Sequence, residues 1–499
     1  MNIQRWTQVV TPLAAILVTV GGLGAGARAG QTGNAGPDGT LTIDFASAKA
    51  MKSRWADYFG THYARTPEEA GVVWNTVRSY GGTHVGFYPA EDESAPVHTG
   101  PFTGRSVRLQ LSDFHGPRGG PSAQQLIPDL TQHKITAIYL MTSIVRPSTE
   151  PFDKDLAYWA IRLIHEAYPE ANRYIVWQIG NEIVSGHFDP KEVWTTGARG
   201  NRPAAANRED NFFGYDLDWK ENYYVNDYLA PAVEAIERVA RDLYGDPRKI
   251  RIALGSMNPY NRQNLTFLKN VMARRFDSRQ APTLQGDEVW KHFDLLTVHY
   301  MTGSPQTIAT LQQYHDEYLK TGQVKGIWIT EDHGRAGRGP VTILDRGLRF
   351  LAWAARNHLS GEQTRLSWWG ERERDPGGPG AETTALVGEF FAGRDLYFSS
   401  PAIPSGTAYV LSDGNDERIQ RIMLAFVPDR DDSMSLGGLQ IRLPAAATQR
   451  RWTVEAIQYS ATKPGVRFTP ACEAGKEGLQ IALNRDIPEP ALLMLQSGK

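Results

Sequence analysis

The chain has few of the residues that mark metal, redox or nucleotide sites. Its 499 residues include one cysteine, Cys472, so no internal disulfide can form. Stability must then come from a large core. Cys472 lies far from the segments that carry the chemistry below and reads as inert. No Cys/His group has zinc spacing, and neither a P-loop nor a G-x-G-x-x-G turn occurs. No charge of one sign dominates: 53 Lys and Arg meet 55 Asp and Glu, a net charge of −2. No global basic field therefore points to nucleic acid or to an anionic membrane. Outside the N-terminus, no stretch approaches the roughly 20 apolar residues of a membrane span.

The N-terminus reads as a secretory signal over residues 1–29. Arg5 supplies the positive start, an apolar stretch runs from Val9 to Leu23, and Ala27-Arg28-Ala29 gives a small-x-small cleavage pattern. The alternative is a membrane anchor. The glycines at 21, 22, 24 and 26 and the Ala-x-Ala favour cleavage. The expectation is a secreted or periplasmic soluble protein with no stable membrane insertion.

From about residue 58 to 390, strand-like runs alternate with helix-period segments. The clearest strands are "SVRLQLSD" (106–113), "KITAIYLMTS" (134–143), "RYIVWQIGNE" (173–182), "IRIALGSMN" (250–258), "FDLLTVHYM" (293–301), "GIWITEDHG" (326–334) and "RLSWWGERE" (365–373). One more lies upstream, at 58–64 or at 83–89. Between them, segments such as 155–167, 229–243 and 343–356 repeat apolar residues at i, i+3 and i+4. About eight such units predict a (β/α)8 TIM barrel; a doubly wound open sheet is the alternative. Residues 391–499 change character. Strand runs at 407–413, 419–427, 439–444, 451–459, 478–484 and 491–497 follow with no helix pattern between them. That predicts a C-terminal antiparallel β-sandwich. The segment 30–57 contains the strand-like "GTLTIDFAS" (39–47), which can return to pair with that sandwich.

Active sites of such barrels sit at the C-terminal ends of the strands. Here those ends carry Asn181-Glu182, His299-Tyr300, Glu331-Asp332-His333 and Trp368-Trp369. Two glutamates at two strand ends, ringed by amide, imidazole, phenol and indole, suit glycoside hydrolysis by a pair of carboxyl groups. Thirteen Trp and 20 Tyr add a supply of faces on which sugar rings stack.

The order "IGNE", "HY", "ITE.HG", "WW" along successive strands resembles clan A of the glycoside hydrolases over roughly residues 58–390. The layout of barrel plus sandwich is similar to family 39 and its neighbours. The resemblance implies a retaining mechanism with Glu182 as acid/base and Glu331 as nucleophile. It implies Asn181 at the 2-hydroxyl of the reacting sugar, Tyr300 bonded to Glu331, and His299 lining the same wall. Trp368 or Trp369 would floor the sugar site, and Arg108 matches loosely an arginine beneath the nucleophile. No metal or organic cofactor is implied, because carboxylates handle both protons and the covalent intermediate.

Each residue also has a plainer reading. Asn181-Glu182 can cap a helix, His299 and Tyr300 can be packing residues, Arg108 can serve a structural ion pair, and Asp332 competes with Glu331. The segment 183–226 shows no clear helix before "VNDYLAPAVEAI" and holds many aromatics. It reads as a cleft wall that stacks glycosyl units, or as a self-packed mini-core. The partner expected is a polysaccharide or oligosaccharide, either scavenged or self-produced as an exopolysaccharide. A non-catalytic carbohydrate-binding barrel is the reading from another class. Sugar, linkage, endo or exo action and oligomeric state are not encoded legibly.

Overall fold

The computed structural model describes residues 40–45, 48–62, 106–110, 137–141, 154–167, 171–173, 175–180, 217–257, 264–332, 341–368, 386–403, 406–428, 434–458, 466–475, 478–487 and 491–498. Two strands open the chain, Thr40–Asp44 (β1) and Lys49–Ala50 (β2). Eight follow in a closed parallel ring: Phe59–His62 (β3), Ser106–Gln110 (β4), Ala137–Met141 (β5), Ile175–Ile179 (β6), Arg251–Met257 (β7), Leu295–His299 (β8), Gly326–Asp332 (β9) and Thr364–Trp368 (β10). β10 pairs with both β9 and β3, which closes the ring. The upstream strand is thus the one in 58–64; residues 83–89 lie outside the described residues.

The ring is built from apolar runs because parallel strands are covered on both faces. All five residues of β6, and all seven of β9, are buried. Low in the ring, Val176, Ala253, Leu295 and Trp328 form their own apolar cluster. Higher up, the buried residues turn polar: Gln178, Thr297, His299, Thr330 and Ser367. The interior therefore changes from packing to chemistry along the strands. Outside the ring, the helices Lys154–Ala167, Ala230–Tyr244 and Val341–Arg356 lay their apolar faces on it. Ala230–Tyr244 ends where a helix should, on Gly245 at φ 76. No described helix is long and apolar enough to cross a membrane.

Ten strands lie beyond: Tyr397–Ser399 (β11), Ala402–Ile403 (β12), Gly406–Ser412 (β13), Arg421–Pro428 (β14), Met434–Arg442 (β15), Trp452–Gln458 (β16), Val466–Phe468 (β17), Ala471–Gly475 (β18), Gly478–Ile487 (β19) and Ala491–Ser497 (β20). They form two sheets. One runs β17-β16-β20-β14-β13-β11-β2, with β12 beside β13; the other runs β1-β15-β19-β18. The N-terminal segment enters both: β1 lies parallel to β15 and β2 antiparallel to β11.

The central strands of the larger sheet, β13, β14 and β20, are covered on both faces. Ala408, Val410, Ile422, Leu424, Val454, Ala456, Leu493 and Leu495 share one apolar cluster with Leu41, Ile43, Leu439, Ile441, Leu479 and Ile481 of the smaller sheet. The alternate residues Tyr409, Leu411, Met423, Ala425, Ile457, Leu492 and Met494 belong to the cluster that continues out of the barrel. This explains why "RIMLAFV" and "ALLML" are apolar at consecutive positions, where a half-wet antiparallel strand would alternate. Each such aliphatic side chain contributes about 1.5–3 kcal/mol by burial. The barrel and the larger sheet are therefore welded by a common core.

One buried group makes acid stability testable. His165 lies under Ala230–Tyr244, its Nε2 accepting from Trp177 Nε1 at 3.0 Å and its Nδ1 2.9 Å from the Tyr244 hydroxyl. Burial lowers its pKa to about 3. The unfolded ring protonates near 6.5, so the stabilisation is complete above that pH and is lost as pH falls toward 3. At about pH 5 the loss is about 2 kcal/mol. His165→Gln keeps a donor and an acceptor but cannot titrate. It is expected to flatten the fall in melting temperature between about pH 6.5 and 4.5, read by circular dichroism. An unchanged slope would show that His165 does not carry it.

Candidate active site

The chain leaves β6 on a fixed path. Gly180 has φ 88, in the left-handed region that favours glycine. Its carbonyl accepts from Gln178 Nε2 at 2.9 Å, and the Ile179 carbonyl accepts from the Tyr224 hydroxyl at 3.1 Å. On β7, Gly255 leaves room for the same turn: a Cβ there would stand 2.3 Å from Ile179 O. A glycine inside a strand pattern is a sign of such close approach. Asn181 and Glu182 come next and lie outside the described residues.

Glu331 is brought to the mouth of the ring by a bulge. Trp328 faces in, with the low interior cluster, and Ile329 faces out. Strict alternation would then turn Glu331 outward. Both neighbouring strands register one extra residue at this point. β8 pairs Val298 with Ile329 and then His299 with Glu331; β10 pairs Leu366 with Ile329 and then Trp368 with Asp332. A bulge re-aims a side chain in this way. Glu331 Oε2 consequently accepts from the Tyr300 hydroxyl at 2.8 Å and lies 3.5 Å from His299 Nδ1. Glu331 keeps 7% of its surface exposed, whereas His299 is fully buried.

Tyr300 holds a strained backbone to make that contact. Its φ is 55, a left-handed value that is unfavourable by about 1–2 kcal/mol for a residue with a Cβ. Its own N–H donates to Glu331 O at 2.8 Å, so main chain and phenol both address the same residue. Strain of this kind persists where surrounding contacts over-determine it, and it gathers at functional sites.

The competing acid is occupied elsewhere. Asp332 is fully buried and accepts from Thr302 N at 3.2 Å, from Thr302 Oγ1 at 2.7 Å and from Arg346 Nη1. Its charge is paired and its oxygens are bonded, the condition under which a buried ion pair is tolerated. Glu331 is thus the acid of this strand end that faces the mouth.

His299, Tyr300 and Glu331 are brought together. Arg108 lies in β4, in register with His62 and Tyr139. Trp368 is the last residue of β10, paired with Asp332; Trp369 lies outside the described residues. Thr302, Arg346, Gln178 and Gly255 are supporting residues that strand-end motifs do not reveal. Only Gly255 left a trace in the sequence, as a glycine within a strand. Of the segment 183–226, residues 183–216 lie outside the described residues; from Leu217 on, the chain is helical earlier than the pattern at "VNDYLAPAVEAI" predicts. Helix begins at Leu217 and passes through a wide turn at Tyr224–Leu229 into Ala230–Tyr244. Tyr224 is buried, stacked with Tyr228, and is a packing residue rather than a cleft aromatic. Among the described residues, no group of three or more His, Cys, Asp or Glu side chains is placed to hold a metal ion.

No family profile matches the sequence, and no curated protein matches it. Among solved structures, a glucosidase from Croceicoccus marinus aligns with a TM-score of 0.50 at 11% identity, over 92% of this chain and 99% of that one. A 4-O-α-L-rhamnosyl-β-D-glucuronidase from Fusarium oxysporum 12S aligns with a TM-score of 0.48 at 9% identity, over 91% and 100%. A GH30 endoxylanase from Clostridium papyrosolvens C71 aligns with a TM-score of 0.45 at 10% identity, over 92% and 100%. These structural neighbours are glycoside hydrolases. The first of them shows a shared fold across nearly the full length of both chains.

Proposed function

We propose that the protein is an exported retaining β-glycoside hydrolase of the clan A type, with no preference for family 39 over its neighbours. In this reading the two sheets form a β-sandwich fused to a TIM barrel. The observation that carries the proposal is Glu331: a bulge turns it into the barrel mouth, a strained Tyr300 donates to it, and the adjacent Asp332 is tied up in structure. The shared fold with a glucosidase supports the same class.

The reaction would run by double displacement. Glu331 attacks the anomeric carbon as the bond to the leaving oxygen breaks, and Glu182 passes its proton to that oxygen. The Glu182 carboxylate then takes a proton from water, whose oxygen attacks the same carbon and frees Glu331. The two carboxyl groups must stand about 5–5.5 Å apart, too close for an intervening water in the first step. Asn181 would hold the 2-hydroxyl, His299 the side wall, Trp368 or Trp369 the floor, and Arg108 the region beneath the nucleophile. The substrate class is a polysaccharide or oligosaccharide, and no cofactor is required. Incubation with a panel of plant, microbial and self-produced polysaccharides, followed by mass analysis, should release oligosaccharides or monosaccharides from at least one. Binding without release across the panel would instead favour a non-catalytic carbohydrate-binding barrel.

A further inference from the structure

The helix Val341–Arg356 follows β9 and connects two distant parts of the molecule. At its start, Arg346 reaches Asp332. Asp345 and Arg349, one turn apart, form an ion pair with little exposure on either side chain. Arg349 Nη1 also donates to Thr302 O at 2.8 Å. On the other side, Asp345 Oδ1 accepts from the Tyr409 hydroxyl at 3.1 Å. Tyr409 belongs to β13, well inside the larger sheet, and is buried. Burial pushes its phenol well above the ordinary value, so it remains a donor to Asp345 at any working pH.

Thr302 is therefore held at three atoms: its N and Oγ1 by Asp332, its O by Arg349. The next residue, Gly303, has a close neighbour of its own, since a Cβ there would meet Arg346 Nη2 at 3.0 Å. Two residues before Thr302 sits Tyr300, whose left-handed backbone needs just such an anchor to persist.

We propose that Tyr409, Asp345 and Arg349 are positioning residues, through which the C-terminal sheet fixes the turn 300–303 and so aims the Tyr300 phenol at Glu331. The kinetic consequence rests on the glycosidase reading; the mechanical link does not. The sheet is then a working part of the active site rather than a detachable carbohydrate-binding module. The common core described above supplies the rigid base, and the polar chain transmits it to a particular turn.

Two full-length variants test this, Tyr409→Phe and Arg349→Met, each measured by amide hydrogen exchange and by kinetics. Exchange over 300–303 is expected to quicken about tenfold, the scale of one lost hydrogen bond. Leu295–His299, in the adjoining strand, should keep its protection. On any glycoside that the wild-type chain cleaves, kcat should fall about tenfold with KM unchanged, the mark of an interaction made in the transition state. Unchanged exchange over 300–303 in both variants overturns the inference, whatever the activity. A loss of protection shared equally with Leu295–His299 is a general loss of stability and also overturns it. A wild-type chain that cleaves nothing refutes the glycosidase reading alone, and the exchange result still decides the link.

Discussion

Glu331→Gln is expected to leave the fold intact and to remove turnover by about 10³-fold or more, as loss of the covalent nucleophile does. The amide is nearly isosteric and can still accept from the Tyr300 hydroxyl, which now stands 2.8 Å from Oε2. Asp332, Thr302 and Arg346 satisfy one another without it. On the proposed mechanism, what is lost is the negative charge that attacks the anomeric carbon. Glu331→Ala sharpens the test by opening space at the mouth of the ring. A small anion such as azide can then occupy that space and attack the sugar from the nucleophile's side, with Glu182 still protonating the leaving oxygen. The product should be a glycosyl azide of inverted configuration. Rescue of that kind assigns the nucleophile, because a residue lost for structural reasons is not replaced by a free anion. Full activity in Glu331→Gln would refute the assignment, and Glu182→Gln should lose most activity on substrates with poor leaving groups.

Much of this architecture was legible because burial writes itself into composition. Ile175–Ile179 and Gly326–Asp332 are covered on both faces, so they read as unbroken apolar runs with polar residues only where the strand meets the mouth. What was not legible depends on pairing between distant segments. The resemblance already favours Glu331 over Asp332, but the bulge in β9 that turns Glu331 toward the mouth could not be read, since period-two alternation alone points that side chain outward. The carboxylate of Asp332 found its cation 14 residues later, on a helix whose sequence gives no sign of it. The pairing of Thr40–Asp44 with Gly438–Arg442 spans almost the whole chain, and no local pattern specifies such a partner. Nor does composition distinguish a sheet with one covered face from one with two. The run from Arg421 to Val427 carried that information only in retrospect, through Met423 and Ala425 on one side and Ile422 and Leu424 on the other.

The second large effect concerns a residue that touches no substrate. Gly255→Ala adds a single methyl group whose carbon would lie 2.3 Å from Ile179 O and 3.0 Å from the carbonyl carbon of Gly180. Both obstacles are backbone, so neither can swing aside as a flexible side chain would. The strands must separate, by about 1 Å to regain normal contact, and overpacking of this kind typically destabilises by about 1–3 kcal/mol. The larger consequence falls on chemistry. Ile179 and Gly180 carry the chain directly into Asn181 and Glu182, and a misplacement of about 1 Å in a reacting group can lower the rate about 10²-fold. Activity should therefore fall far more than stability, measured as kcat well below the melting temperature together with the melting curve itself. Gly245→Ala is the control. Gly245 also has a left-handed backbone, at φ 76, but nothing stands within 4 Å of its missing Cβ, and it caps a helix away from the mouth. That variant should lose about 1 kcal/mol from backbone strain and keep its turnover. If Gly255→Ala behaved in the same way, the β6–β7 contact would be packing alone, and the path that delivers Glu182 would have to be set elsewhere.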